Sequence, residues 1–175
     1  MKYLDQFVIP FSGLKAGNYQ FDFDIEDKFF EYFDQSEISQ ASIRVVVLME
    51  RQLRMLVFHF AISGTVKVPC DRCTVEFDLP IEGEEQLIVK FGEERGEETE
   101  DIFIITEKEH SIDLSSFLYD YINLLVPFRR VHGEDENGKS LCDPDVTKYI
   151  TEEEPEQTDP RWDALKRLKN DNNKN

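Results

Sequence analysis

The residues with the clearest chemical potential are two cysteines, Cys70 and Cys73, in the run Cys-Asp-Arg-Cys that follows Pro69. Two thiolates at this spacing can grip one metal ion from the same tight turn, which is how half of many tetrahedral zinc sites is built. One pair supplies only two of the four ligands, so the others must come from elsewhere in the chain. The best candidates are His132 and Cys142.

The sequence leaves alternatives to zinc open. His59 and His110 are weaker candidate ligands, because the first lies in an apolar run and the second in a polar turn. The cysteine pair also fits a hairpin in which both thiols are reduced and bind nothing. Redox chemistry is the third reading, but a thioredoxin-type motif needs a helix directly after its first cysteine, and none is predicted after Cys70.

No enzyme constellation accompanies the cysteines. The chain has no Walker loop, GxGxxG, HExxH or GxSxG sequence. Its 37 Asp and Glu residues make any carboxylate pair uninformative. The sequence therefore predicts a protein that is not an enzyme and has no small-molecule substrate.

The net charge and the apolar content limit the cell compartments and partners that fit this chain. Against 37 acids the 175 residues include 20 Lys and Arg, for a net charge of −17, which opposes adhesion to phosphate backbones and anionic lipids. The longest apolar runs are strand-sized, and the first residues do not form a signal peptide. We therefore expect a cytoplasmic protein with reduced cysteines and no membrane contact.

The elements that must position the cysteines are mostly strands. Tyr19, Phe21, Phe23 and Ile25 alternate with polar residues, as in a half-buried strand. Residues 43–49 and 55–62 are two β-rich runs with a short polar interruption that indicates a hairpin. Six to eight such runs with local connections predict an α+β fold with a mainly antiparallel β-sheet or open barrel.

Beyond the strands the pattern changes to helix and then to acidic segments. Residues 113–125 have an apolar stripe at helical spacing, with Asp113 as N-cap and Pro127 as stop. We predict a β-rich domain at 1–132 that includes this helix, an acidic flexible segment at 133–159 and a short basic amphipathic helix at 160–170. The acidic run 93–100 is predicted to be a solvated loop.

Several motifs occur in an order typical of one known family. Gly64 and the cysteine pair are followed by the Asp-Leu-Ser helix and by Val-Pro-Phe-Arg-Arg at 126–130. Gly-Lys-Ser-Leu-Cys-Asp-Pro at 138–144 and Asp-Pro-Arg-Trp-Asp-Ala-Leu at 159–165 complete the series. The chain resembles the YceD-like family, the large ribosomal RNA subunit accumulation proteins, over residues 42–169.

The resemblance implies a bacterial factor needed for accumulation or processing of large-subunit ribosomal RNA during ribosome biogenesis. Members with more cysteines end the region after the helix in a second Cys-x-x-Cys. Here Cys142 matches the first cysteine of that pair, while Asp145 stands at the second position. Cys70, Cys73, His132 and Cys142 would then form a Cys3His site, and Asp145 would be a poorer fourth ligand.

Two partners fit this function. RNA contact would be confined to small basic groups, for which the candidates are Arg129, Arg130, Lys139, Arg161, Trp162, Lys166, Arg167 and Lys169. Trp162 could stack on a base or, alternatively, hold its helix against the domain. The competing hypothesis is an acidic protein-interaction module, or chaperone, for a basic ribosomal protein that makes no direct contact with RNA.

Overall fold

The fold is an α+β arrangement built on one large sheet, as the sequence predicts. The computed structural model describes residues 3–34, 36–99 and 101–151. For residues 150 and 151 only the backbone is described. A 3-10 helix at Tyr3–Phe7 precedes the strands. The strands are β1 Val8–Pro10, β2 Gly17–Glu26, β3 Gln40–Arg51, β4 Met55–Pro69, β5 Glu76–Gly92, β6 Gly96–Thr99, β7 Ile102–Thr106 and β8 Ser111–Asp113. The helices are α1 Asp27–Phe30, α2 Ser115–Leu125 and α3 Pro144–Thr151.

Six strands form the main sheet in the order β2-β3-β4-β5-β7-β6. The predicted hairpin is confirmed, because β3 and β4 pair antiparallel with Val45 opposite Ile62. The pairing of β5 with β7 is parallel, so the sheet is mixed at that end. Strands β1 and β8 pair separately and bring the N-terminal segment to the start of α2.

Strands β4 and β5 are longer than the sequence pattern predicts. The runs at 55–62 and 65–68, which the sequence predicts as separate, form the single strand β4, and those at 74–79 and 86–91 fall in β5 apart from the start of the first. Gly64 lies within β4, where a Cβ atom would be 2.2 Å from the backbone oxygen of Ser42 on β3. Only a glycine lets the two backbones approach so closely, so the chain continues as one strand instead of turning. The two strands therefore extend together to the cysteine turn at one end of the sheet.

Helix α2 packs on one face of the sheet. The predicted N-cap is wrong by one residue, because Leu114 occupies that position and makes no side-chain capping bond. Asp113 lies just before it and accepts a hydrogen bond at Oδ1 from the backbone N–H of Ser115 at 2.8 Å. The helix ends at Leu125 before Pro127. The ring of Tyr121 contacts Phe60 of β4 edge to face. On the same face Phe7 packs against Phe23 and Phe29. The N-terminal segment, α1 and α2 therefore share one continuous core with the sheet.

Two acidic segments contain more secondary structure than the sequence indicates. Part of the predicted loop at 93–100 forms the edge strand β6, in which Glu98 makes an ion pair with Lys90 at 2.7 Å. Helix α3 lies within the acidic segment that begins at residue 133. An edge strand and a short exposed helix can keep their acids in solvent, so a run of acids does not exclude either element.

Candidate metal centre

The candidate metal centre lies beyond one end of the long strands, where three cysteines and one histidine meet. The thiol or ring atoms of Cys70, Cys73, His132 and Cys142 all lie within 4.8 Å of one another. The three cysteines are buried, with 1%, 1% and 5% of their surface exposed, and His132 is half-buried. This cluster of four residues is called the Cys3His cluster below.

The first two ligands are placed by the turn between β4 and β5. The backbone N–H of Cys70 donates to the carbonyl of Val75, and the N–H of Thr74 donates to the carbonyl of Cys70 at 2.9 Å. Thr74 has φ of 62°, the left-handed conformation that lets so short a turn close. Both thiols consequently face the same side of the turn.

His132 and Cys142 are placed by a small hairpin that follows α2. Asp135 and Lys139 close its turn by a backbone hydrogen bond of 2.8 Å, with Gly138 at φ of +76°. Further back, the N–H of Leu141 donates to the carbonyl of Gly133 at 3.0 Å. The ten-residue separation in sequence therefore becomes close contact in space.

A second set of contacts joins this post-helix segment to the cysteine turn. The backbone N–H of Asp71 donates to the carbonyl of Arg130 at 2.7 Å, and the N–H of Arg130 donates to Asp71 Oδ2 at 2.6 Å. The Arg130 guanidinium also pairs with Asp71 and with Glu37. This reciprocal contact, the Asp71–Arg130 bridge, fixes the segment two residues before His132.

Two of the six distances among the four ligand atoms match a tetrahedral metal site, and all six lie within 4.8 Å. The sulfur atoms of Cys70 and Cys142 are 3.8 Å apart, and Cys73 Sγ is 3.4 Å from His132 Nδ1. A zinc ion with usual bond lengths requires S–S edges of about 3.8 Å and S–N edges of about 3.6 Å. The cluster can therefore take zinc with little movement of its side chains.

The environment of the cluster also supports thiolate ligands. Burial of Cys70 opposes its ionisation, but hydrogen bonds from the backbone of Cys73 and Arg72 and from His132 outweigh burial and lower its pKa to about 6. The N–H of Arg72 points at Cys70 Sγ from 3.4 Å. For Cys73 burial dominates and raises the pKa. One thiol of the pair is thus readily ionised even before a cation adds its own charge.

The ligand types in the cluster are those typical of a structural metal site rather than a catalytic one. Thiolate and imidazole are soft or borderline ligands that suit zinc better than magnesium or calcium. Four protein ligands complete a tetrahedron and leave no position for water or substrate, whereas catalytic zinc sites keep one position open. The ring of Phe77 lies 4.6 Å from the His132 ring, and Val131 and Val146 also pack against the cluster. Around a metal ion, this arrangement would hold two segments of the chain together.

The other sequence candidates lie outside the cluster. His59 and His110 are exposed, on β4 and in the turn before β8. Asp145 is exposed in the first turn of α3 and is not among the clustered ligands. Within the described part of the chain, the four clustered residues are therefore the set that the structure brings together.

The predicted partner-binding residues fall into three groups. Arg130 is engaged in the Asp71–Arg130 bridge, and its hydrogen bond to Glu37 raises its pKa. Arg129 and Lys139 are exposed. The remaining five residues, Arg161, Trp162, Lys166, Arg167 and Lys169, and the predicted helix at 160–170 lie outside the described residues.

Sequence reasoning missed two features of this region. Asp71 was named only as a spacer in the cysteine motif, yet its backbone and carboxylate hold Arg130. Phe128, beside Arg129, is fully exposed, although an aromatic residue after a helix would ordinarily be expected to pack. Neither feature has a local signal, because each depends on where the chain returns in space.

The fold and the cluster together define a class of protein: a strand-rich α+β protein in which a Cys3His cluster brings a strand turn and a post-helix segment together. The family described as Large ribosomal RNA subunit accumulation protein YceD matches residues 58–169, nearly two thirds of the chain. The chain therefore belongs to the YceD family. The matched region includes all four residues of the cluster.

One curated relative extends the comparison. The chain is similar to Uncharacterized protein YlbN of Bacillus subtilis (strain 168), with 28% identity over 136 residues that cover 76% of this chain and 78% of that protein. No solved structure matches the chain. Among the described residues, no helix has the length and hydropathy of a membrane span.

Proposed function

We propose that this protein is a non-catalytic factor for large-subunit ribosomal RNA accumulation, acting in ribosome biogenesis, in which a zinc ion held by the Cys3His cluster fixes the post-helix segment. The observation that carries the proposal is the position of the cluster. It lies within residues 58–169, which match a family named for ribosomal RNA accumulation. The role of the site is then architectural.

Zinc would act by joining parts of the chain that share few other contacts. Cys70 and Cys73 belong to the sheet, whereas His132 and Cys142 belong to the segment after α2. The thiols form a small apolar cluster of their own, separate from the main core. Phe77, Val131 and Val146 are the partly buried apolar residues packed around this cluster. Four metal bonds would therefore add a large share of the free energy that keeps the two parts together.

The proposed RNA contact is limited to the surface that this segment presents. Arg129 is exposed beside the fully exposed ring of Phe128, and an arginine next to an unpacked aromatic suits phosphate and an unpaired base. Among the residues that the structure describes, Lys139 on the small hairpin is the other exposed cation predicted from the sequence. Metal loss would free Lys139 on the small hairpin to move relative to Arg129, whose neighbour Arg130 stays held by the Asp71–Arg130 bridge.

The proposed function is tested by crosslinking in cells followed by sequencing of the bound RNA. We expect crosslinks to large-subunit ribosomal RNA or its precursor, and we expect Arg129→Ala with Lys139→Ala to reduce them. The paired control is Lys15→Ala with Lys108→Ala, which removes two exposed cations distant in sequence from the cluster. An absence of ribosomal RNA crosslinks in the wild-type protein would contradict direct RNA contact.

A protein partner is the second candidate, and the net charge of −17 is the observation that favours it. A strongly acidic surface attracts basic polypeptides and repels RNA. Tight capture of one basic ribosomal protein, together with no RNA binding in a gel shift at physiological salt, would select this alternative. The two contacts can also coexist on different surfaces of one molecule.

A further inference from the structure

The main sheet has a second face, opposite the one that α2 and the N-terminal segment cover. Along β4 the even-numbered residues Phe58, Phe60 and Ile62 are buried in the core, whereas His59 and Ala61 between them are exposed. Alternate residues of β2, β3 and β5 point the same way as His59. Within the described ranges no helix packs on these side chains, which together are called the open face.

The centre of the open face is apolar. In the strand register Leu48 of β3 lies opposite His59, and the adjacent Val46 lies opposite Ala61. Leu48 keeps 50% of its surface exposed. These residues line an open cavity of about 490 Å³ together with Phe60, Glu84, Glu85, Gln86 and Asp101, so its wall combines apolar and acidic side chains. An apolar patch at the centre of a sheet and rimmed by polar residues is typical of an interaction site.

The rim of this apolar patch is acidic, whereas farther along the same face Lys67 and Lys90 pair with Asp78 and Glu98 at 3.9 and 2.7 Å. Asp22 and Glu84 flank the row that contains Val46 and Ala61, one on each side. Three more carboxylates surround the same patch, from Asp24, Glu50 and Glu82. The cation of these rows is Arg44, which is paired with Asp22 at 3.5 Å.

Charge selects the occupant. RNA would bring phosphates against this rim of carboxylates, and a second copy of the chain would bring the same carboxylates against themselves. A polypeptide rich in lysine or arginine would neutralise the rim, and one apolar side chain of it would fill the cavity beside Leu48. The apolar patch and the acidic rim would then both contact the same partner.

We propose that the open face docks a lysine- or arginine-rich segment of a partner protein, with an apolar side chain of that segment seated against Leu48 and Val46. This inference rests on the proposed function for its setting, because proteins that bind ribosomal RNA carry such basic segments. It adds a protein-docking surface to the proposed RNA contact beside the Cys3His cluster. The two surfaces use different residues, so they can be tested separately.

The test measures binding of fluorescent synthetic peptides to the full chain by anisotropy. The probe is a twelve-residue peptide with six lysines and one central leucine, and the control probes replace that leucine by serine or the lysines by glutamine. We expect the first probe to bind, and we expect each replacement to weaken binding by at least about fivefold at low salt. Equal binding of all three probes would overturn the proposal.

Leu48→Lys tests the location of the site. It removes the apolar contact and adds a repulsive charge, so the dissociation constant of the lysine peptide should rise at least about tenfold. The matched control is Leu53→Lys, which makes the same charge change at a leucine that is 92% exposed in the turn between β3 and β4. Equal effects of the two variants would show that only net charge matters and would overturn the docking site.

Asp22→Asn with Glu84→Gln tests the acidic rim. The double variant should bind the peptide about fivefold more weakly at low salt and should show a shallower dependence on salt. The control is Glu93→Gln with Glu94→Gln, which removes two exposed carboxylates before β6. Circular dichroism of each variant establishes that it is folded.

The remaining outcomes distinguish the other occupants. Concentration-dependent dimerisation that Leu48→Lys abolishes would assign the open face to a second copy and overturn the proposal. RNA that competes with the peptide for wild-type protein, but not for Leu48→Lys, would assign it to RNA. Peptide binding without any ribosomal RNA crosslink would leave the docking surface standing and would instead contradict the proposed RNA contact.

Discussion

Loss of one metal ligand should loosen the post-helix segment without unfolding the sheet. In Cys142→Ser, and in wild-type protein treated with chelator, the backbone N–H of Leu141 should exchange with solvent far faster than in the metal-loaded protein. This N–H donates to Gly133 at 3.0 Å. Hydrogen exchange followed by NMR measures it directly, with the amides of the β3–β4 pairing as the internal reference.

The size of the change in exchange rate follows from the other contacts that hold the post-helix segment. Two backbone N–H groups of the Asp71–Arg130 bridge donate one to a carbonyl and one to the Asp71 carboxylate, and each bond contributes about 1 kcal/mol. The partly buried Val131 and Val146 add about 1 kcal/mol between them. Those contacts alone total about 3 kcal/mol, which slows exchange about 150-fold. Zinc-finger peptides gain about 10 to 16 kcal/mol from zinc, so even a quarter of that gain adds about another hundredfold.

Asp145→Ser is the matched control for this experiment. It makes a substitution to serine three residues beyond Cys142, at an exposed position outside the cluster. Zinc content and the exchange rate of Leu141 should stay at their wild-type values. If chelator and Cys142→Ser leave Leu141 exchange unchanged, or if Asp145→Ser accelerates it as much, the metal does not fix this segment and the reasoning is refuted.

Three further predictions concern the supports of the site and the sheet. Arg130→Ala should weaken zinc binding about tenfold in a chelator competition, because the Asp71–Arg130 bridge orients the cysteine turn. The control Arg129→Ala, at the exposed neighbouring residue, should change zinc affinity less than about twofold. Gly64→Ala should lower the free energy of unfolding by about 3 kcal/mol in denaturant titration, since its Cβ would meet the Ser42 backbone at 2.2 Å; Gly96→Ala, which has open space around it, should be nearly neutral. Asp113→Ala should lower the free energy of unfolding by about 1 kcal/mol, because it removes the hydrogen bond that Asp113 accepts from Ser115 at the start of α2. An unchanged unfolding midpoint would refute that role.

Elements with a strong local period were predictable from the sequence. The alternation through Phe21 and Phe23 and the apolar stripe of α2 report which face of each element is buried, and the structure has β2 and α2 there. The stop before Pro127 is equally local, because proline restricts the residue before it. Such signals do not depend on the rest of the fold.

The joining of strands and the mixed sheet were not predictable in the same way. Gly64 reads as a turn residue in sequence, and only the proximity of Ser42 shows that it permits a close approach within β4. The parallel pairing of β7 with β5 depends on which edge the chain reaches after β6. These outcomes follow from packing between distant segments, which sequence spacing does not contain.

The candidate site likewise combines residues that local sequence signals reveal with contacts that only the fold reveals. The spacing of Cys70 and Cys73 is a local signal, and His132 and Cys142 could be named because few other ligands were available. Arg130 was predicted to contact a partner from its charge alone. In the structure Asp71 and Glu37, distant in sequence, engage it internally, so charge did not reveal its structural contacts.

The central claim, that this chain supports accumulation of large-subunit ribosomal RNA, is tested most directly by deleting its gene in the native host and quantifying large- and small-subunit ribosomal RNA. The account predicts a lower ratio of large- to small-subunit RNA, restored by the wild-type gene but not by one carrying Cys70→Ser with Cys142→Ser. Immunoblotting would establish equal expression of the two proteins. An unchanged RNA ratio after deletion would contradict the proposed function.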